Sequence, residues 1–365
     1  MPIYMDIHII PGVKAKDVAE AHRLDVLMQD EHDCKCMTYW IDEERENVFC
    51  LIEAPDKEAV EQMHSHAHGL IPHRIIEVNS NIVESFLGRI YDPEEAEVTK
   101  DGLKVFADPS FRVLLVTRAT DPILLQHAIG KEAAAALLNE HCAIVRKNLA
   151  TYHGREVEHE GTNFIASFAS AAKAVSCAIA IQKDHMHFDH TQFTFKIGIN
   201  AGEPINKSEK LFGDTIQLAG HMCLLAGDHQ VAVSSQVKDL VSKEYFQDDK
   251  NIRALSQQDE TLLESLFDTL EKNWHEPDFN VTDYCHAIAM SKSQLYRKTI
   301  ELTGHSPNSL LKEFRLAKAK EMMNKKRYSI AQITFDAGFT SPSYFTKCFK
   351  KKYGLLPMAY LDLLH

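Results

Sequence analysis

Near its end the chain writes one pattern twice: a short helix, a tight turn, and a second helix opened by serine. Nothing else in it so narrows the fold. In the first copy, residues 281–290 form a helical stretch, and Ser291 can cap the N–H groups that open a helix over 292–300. On that helix Leu295 and Thr299 share a core-facing side, while Ser293, Tyr296, Arg297 and Ile300 lie toward the other. In the second copy, residues 329–339 supply helix and turn, with Gly338 free to take positive φ. A helix over 341–352 follows, and Pro342 suits its first turn, where a missing N–H costs nothing. Residues 314–323 read as a rigid helix joining the copies.

Charge is distributed to match. The chain carries a net −12, yet residues 271–365 hold 15 Lys+Arg against 9 Asp+Glu. A basic tail on an acidic body points to a polyanionic partner for the tail alone. An arginine such as Arg297 can grip guanine O6 and N7 with both arms.

At 365 residues the chain exceeds what one core usually serves. Two polar seams, 92–109 and 256–260, divide it into 1–92, 110–245 and 268–365. The first segment reads as strand 4–10, helix 15–29, strands 37–42 and 48–53, helix 56–68 and strand 74–78. That order predicts an α+β, ferredoxin-like sandwich with one helical face. The middle segment mixes strands (112–116, 163–168, 193–201, 230–234) with helices (131–150, 171–185, 216–225), an α/β pattern. The last segment is all helix. No run approaches the ~20 apolar residues of a membrane span, and residues 1–4 begin no signal peptide. Eight scattered cysteines fit reduced thiols. The expectation is a soluble, cytoplasmic chain that meets no membrane.

Several strings of the last segment, taken in order, resemble the AraC/XylS family: Met290-Ser291, Leu302-Thr303-Gly304-His305-Ser306-Pro307, Arg315-Leu316-Ala317-Lys318-Ala319, Ser329-Ile330-Ala331-Gln332-Ile333, Ala337-Gly338-Phe339 and Ser343-Tyr344-Phe345, then Phe349-Lys350-Lys351, Gly354 and Pro357. The resemblance implies a tandem helix-turn-helix that reads double-stranded DNA in successive major grooves, ~34 Å apart. It implies contacts from Ser293, Tyr296 and Arg297 in the first reading helix and from Ser343, Tyr344, Lys347 and Lys350 in the second. RNA polymerase is an implied partner. Ala289 departs from a frequent glycine, and Leu361 from a frequent arginine.

In the middle segment, Gly198-Ile199-Asn200-Ala201-Gly202-Glu203-Pro204, Phe212-Gly213-Asp214-Thr215-Ile216 and the stretches 171–182 and 230–234 resemble a class III nucleotide cyclase. The resemblance also implies what is missing. Thr117-Arg118-Ala119 and Thr162 occupy the places of the two metal-holding carboxylates that such chemistry needs. Glu158 replaces a base-reading lysine, and Gln217 and His221 replace the transition-state Asn and Arg. The segment is expected to be a degenerate, non-enzymatic domain that pairs two copies as a homodimer or binds a small molecule. The alternative is a nucleotide-signalling protein that binds or makes a cyclic nucleotide and is coupled to a DNA-binding tail.

Seven histidines fall in the first 73 residues, densest at His64-Ser65-His66-Ala67-His68. At i and i+4 of one helix, His64 and His68 stack on one face, good geometry for two imidazole ligands. Cys50 on a neighbouring strand could add a thiolate, and His22 and Asp25 sit on the other helix. Imidazole with thiolate suits Ni²⁺, Zn²⁺ or copper. The strings Ala21-His22-Arg23-Leu24-Asp25, Val48-Phe49-Cys50-Leu51-Ile52-Glu53-Ala54-Pro55 and His64–Gly69 also resemble a small ferredoxin-like family with nickel-binding members, which implies a metal or ligand sensor. The sequence thus predicts a ligand- or metal-responsive transcription regulator. A fragment spanning 268–365 is expected to shift duplex DNA in a gel with an affinity that falls as salt rises. No salt-dependent shift would exclude DNA binding by the tail.

Overall fold

A computed structural model describes residues 1–100, 102–186, 193–246, 251–325 and 328–364. The first unit contains β1 (Ile3–Ile9), α1 (Ala15–Met28), β2 (Lys35–Asp42), β3 (Asn47–Glu53), α2 (Lys57–Ala67), β4 (Arg74–Val78) and α3 (Ser80–Leu87). Its sheet runs β2-β3-β1-β4, the ferredoxin-like order, with antiparallel neighbours throughout. Strand alternation gives it two apolar faces. Tyr4, Ile41, Val48 and Ile52 pack with α1 and α2. Met5, Trp40, Phe49 and Leu51 form the other face, which the sequence reading left uncovered. In the structure α3 and Leu211 and Phe212 of the middle unit bury it.

The first seam is no free linker. It folds into a small hairpin, β5 (Glu97–Val98) with β6 (Lys104–Val105), and Phe106 stacks on Tyr39 at 4.1 Å between ring centroids. Arg89 fixes its far end, reaching Asp108 at 3.0 Å and the Tyr39 carbonyl at 2.6 Å.

The middle unit comprises β7 (Arg112–Ala119), α4 (Pro122–Ile129), α5 (Lys131–Thr151), β8 (Arg155–Glu160), β9 (Asn163–Phe168), α6 (Ala171–His185), β10 (Phe195–Gly202), α7 (Gly213–Leu225), β11 (Val231–Val233), α8 (Ser235–Asp239) and β12 (Ile252–Ala254). Its six strands run β12-β11-β10-β7-β9-β8, parallel at the β12 end and antiparallel beyond β10. Helices α5 and α6 cover one face. Helix α7 covers the other, lying so close to β10 that a Cβ on Gly198 would strike the Ala219 carbonyl. Sequence reading missed β8 because Arg155-Glu156-Val157-Glu158-His159-Glu160 has little apolar alternation, as an edge strand tolerates.

Seven helices complete the chain: α9 (Gln257–Asn273), α10 (Val281–Ile288), α11 (Lys292–Thr303), α12 (Pro307–Asn324), α13 (Ile330–Asp336), α14 (Pro342–Tyr353) and α15 (Pro357–Leu363). Ser256 caps α9 in a capping box with Asp259, so this helix starts at the second seam and runs through position 268, the boundary expected from sequence. Its Leu263, Leu266 and Phe267 share one core with Leu218, Met222 and Leu225 of α7 and with Tyr284, Leu295 and Leu302. The second helix-turn-helix packs instead around Phe345, Phe349 and Tyr360, with Ile123 and Leu124 of α4 against it. Lys320 and Tyr360 both reach Asp121, the N-cap of α4, at 2.6 and 3.3 Å. Both units are thus docked on the middle one. Among the described residues no helix is long and apolar enough to cross a membrane, and all eight cysteines are free.

At the first turn the unusual Ala289 adopts left-handed backbone, φ 53° and ψ 43°. Ala289→Gly is expected to raise the unfolding free energy by about 0.5–1 kcal/mol in urea titration, the relieved strain outweighing glycine's added chain entropy. The converse Gly338→Ala, at φ 73° and against the Trp274 carbonyl, is expected to destabilise.

Candidate nucleic-acid interface and candidate metal site

The two serine caps form as the sequence requires. Ser291 and Gln294 make a reciprocal capping box that opens α11, and the Ser341 side chain accepts from the Tyr344 N–H to open α14. Leu295 and Thr299 are fully buried, so register fixes what α11 leaves outside: Ser293, Arg297 and Ile300 are exposed. Tyr296 differs. It is half-buried against the core that the first helix-turn-helix shares with α7 and α9, and its hydroxyl accepts from the Asn308 side chain at 3.3 Å. On α14, Phe345 and Phe349 are buried, while Ser343, Tyr344, Lys347 and Lys350 are exposed. Ser343, Lys347 and Lys350 follow i, i+4, i+7 spacing along one face. Arg315 on α12 ties that helix to the chain just after α9, donating to the Trp274 and Glu276 carbonyls at 2.8 and 2.5 Å.

In the first unit the histidines converge on strands as well as helices. Asp6 and His8 alternate on β1 and therefore share its helix-covered face, with Cys50 paired directly across from Asp6 on β3. Above them His64 of α2 reaches Asp6 through Nε2 at 2.9 Å and Asp25 of α1 through Nδ1 at 3.0 Å. His68 reaches Asp25 at 3.0 Å. Ligand atoms of Asp6, His8, Cys50 and His64 all lie within 4.8 Å of one another, as do those of Asp25, His64 and His68. The cluster floors a cavity of about 250 Å³.

One expected residue fares differently. His64 joins Cys50 in one group and His68 in the other; His22 lines the same cavity but stands apart from both groups, its ring against Tyr39 and its Nε2 3.7 Å from Asp92. His66 turns away to His32 at 2.9 Å. Sequence reading missed Asp6 and His8. Their signal was two polar residues at i and i+2 in an otherwise apolar strand, the mark of a buried polar pair.

Burial disfavours a charged His64, but Asp6 and Asp25 outweigh it and hold its pKa up at about 10. Burial likewise pushes the Asp6 carboxyl up, while His64 and His8 overcome it and keep it well below the ordinary range. The Cys50 thiol is driven well above its usual value by burial and then by Asp6 and Asp25. Two imidazoles, a thiol and a carboxylate are a donor set for a borderline divalent ion, with Asp25 left to orient His64 through its second nitrogen. The residues fit such an ion.

Residues 284–362 match the family model described as a helix-turn-helix domain, and residues 4–78 match nickel responsive protein SCO4226-like. The chain ends in an AraC-type helix-turn-helix domain and begins with a SCO4226-like one. It is 34% identical over 106 residues to histidine kinase P4 of Formosa agariphila, covering 29% of this chain and 8% of that protein. Over 88 residues it is 32% identical to the HTH-type transcriptional activator RhaS of Mannheimia succiniciproducens, 24% of this chain and 32% of that one. The chain therefore spans under a third of these curated relatives. Among solved structures it is similar to an adenylate/guanylate cyclase/hydrolase from Silicibacter pomeroyi, at 21% identity and TM-score 0.31, covering 36% of this chain and 83% of that one.

Because His64 is a shared cation, an ion that takes one of its nitrogens must displace a proton. Because the Cys50 thiol must also give up its proton, Ni²⁺ or Zn²⁺ affinity is expected to rise with pH by about a hundredfold per unit from neutrality toward the His64 pKa, with the release of about two protons measurable by calorimetry in buffers of different ionisation heat. A pH-independent affinity would remove His64 from the site.

Proposed function

We propose that this chain is a transcription regulator whose two reading helices, α11 and α14, enter successive major grooves of promoter DNA. The observation that carries this reading is the repeated geometry of the exposed faces. Each follows a serine cap, each is set by a buried pair one turn apart, and the whole lies in the stretch that matches the helix-turn-helix model. In this reading Arg297 takes a guanine edge, Ser293, Ser343 and Tyr344 contact bases or nearby phosphates, and Lys347 and Lys350 neutralise phosphates. Tyr296, held by Asn308, acts from its hydroxyl end. A second copy and RNA polymerase are the partners expected at a promoter.

The middle unit serves as a non-catalytic scaffold. Arg118, Glu158, Gln217 and His221, all implied replacements of cyclase groups, do line one cavity, but Thr162 is buried and its carbonyl accepts from His141. An arginine where a metal-holding carboxylate would stand repels the ion that cyclisation needs.

The first unit senses a metal. Asp6, His8, Cys50 and His64 would hold Ni²⁺ or Zn²⁺, and the ion would supply there the positive charge that the His64 proton now supplies between two carboxylates. Its gain or loss shifts the balance between docked arrangements of the reading helices.

Duplexes selected from a random pool by the full chain provide the test. Arg297→Ala is expected to cost about 1–3 kcal/mol and relax preference at one base pair, while Lys350→Ala weakens all sequences alike and lowers the salt slope by about one. Chelator treatment and His64→Ala are expected to shift DNA affinity together. Failure to enrich any sequence would sink the DNA reading; enrichment with no response to chelator or His64→Ala would sink the sensor alone.

A further inference from the structure

Between the middle sheet and the DNA-binding half lies a cavity of about 550 Å³. One wall is β7, β9 and α7; the other is α9 and α12. This volume suits a drug-sized molecule. Much of the lining is apolar, including Leu224, Phe267, Phe314 and Ala317. The ring of His221 lies flat on Phe267, with centroids 4.0 Å apart.

The charges around it are mostly matched. Lys318 pairs with Glu271 at 2.9 Å and Lys352 with Glu313 at 2.7 Å. Arg118 does not pair. It stands exposed on β7 where α7 passes at Gly220, and among the described residues no carboxylate lies within ion-pair distance of it. Its cross-strand neighbour Lys196 is only 3.9 Å from Asp228. A free guanidinium presents a two-pronged donor to a carboxylate. Glu158 and Glu160 stand exposed on the same lining and would repel a polyanion. The lining as a whole is not cationic, Glu158 and Glu160 being unpaired as well, so an anion would be held only at the Arg118 guanidinium itself, beside an aromatic and aliphatic wall.

We propose that this cavity binds a small organic monocarboxylate with an apolar body, its carboxylate on Arg118 and its body between Phe267, Phe314 and Ala317. Burial and the nearby Arg118 and Lys318 charges hold the His221 pKa down at about 3, so its ring meets such a ligand neutral and adds no competing charge. The occupant touches α7 on one side and α12 on the other, so it cements the linking helix to the middle unit. The site stands whether or not α11 and α14 read DNA, and binding is measured without DNA.

The probe is naphthalene-1-carboxylate, compared by calorimetry with its uncharged carboxamide on the full chain after chelator treatment. The acid is expected to saturate one site per chain and to bind at least about tenfold more tightly than the amide. Arg118→Gln, an exposed change, should erase that difference while leaving the amide alone. Ala317→Trp, on the opposite wall, should block both ligands. Because Ala317→Trp could disturb packing, a second readout uses the unaltered chain: the acid should protect Arg118 from phenylglyoxal, scored by peptide mass. Absence of saturable binding, equal affinity of acid and amide, an unaffected Arg118→Gln variant, or unprotected Arg118 would each overturn the proposal. Protection of Arg118 with full binding by a folded Ala317→Trp would overturn the interdomain placement.

Discussion

Helix α7 must hide both of its sides, and the arrangement of the molecule follows from that. Ala219 and Cys223 face the sheet, the Cys223 thiol touching the Val116 carbonyl at 3.3 Å, while Leu218, Met222 and Leu225 face away from it. A helix that is apolar on opposite sides cannot sit at a domain surface. The sheet buries one side and α9, with the first helix-turn-helix, buries the other. The reading unit is therefore built onto the middle unit through a continuous core rather than tethered by a linker. The same logic works at the amino end. The ferredoxin-like sheet has two apolar faces and α1 and α2 cover one of them, so α3, Leu211 and Phe212 complete the other.

Such shared cores connect the three units without a break. Helices α1 and α2, which carry Asp25, His64 and His68, lie on the opposite side of the first sheet from the middle unit, and Arg74 of β4 reaches the loop before α7 through the Asn206 and Lys207 carbonyls at 2.5 and 2.7 Å. From that loop α7 runs directly to the core it shares with α9 and α11. At the other end Asp121 gathers Lys320 and Tyr360 onto α4. Helices α11 and α14 are thus both positioned by middle-unit helices.

The polar clusters show how position sets chemistry. His64 is a helix histidine like His66, two residues away, yet one is clamped between buried carboxylates and the other meets His32 near the surface. Two residues on a helix turn the side chain by about 200°, so only one of the pair can face the sheet. Charge in the buried position is retained because Asp6 and Asp25 outweigh the cost of desolvation.

Local order was legible in the sequence. Periodicity and caps marked the six ferredoxin-like elements, both reading helices and the linking helix. Ser256, Ser291 and Ser341 cap because their hydroxyls answer N–H groups three residues on, a purely local relation. His64, His68 and Cys50 could be named from helical spacing and strand adjacency, and Asp6 and His8 could have been. What the sequence could not state is which second surface covers a two-sided element. The open sheet face, the seam pinned by Phe106, the helix running through 268 and the separation of His22 from the buried His64 cluster all depend on partners far along the chain. Tyr296 was drawn inward by the same long-range packing. Tertiary structure alone decided these, because burial is satisfied by whatever apolar surface folding brings within reach, and no residue spacing encodes its address.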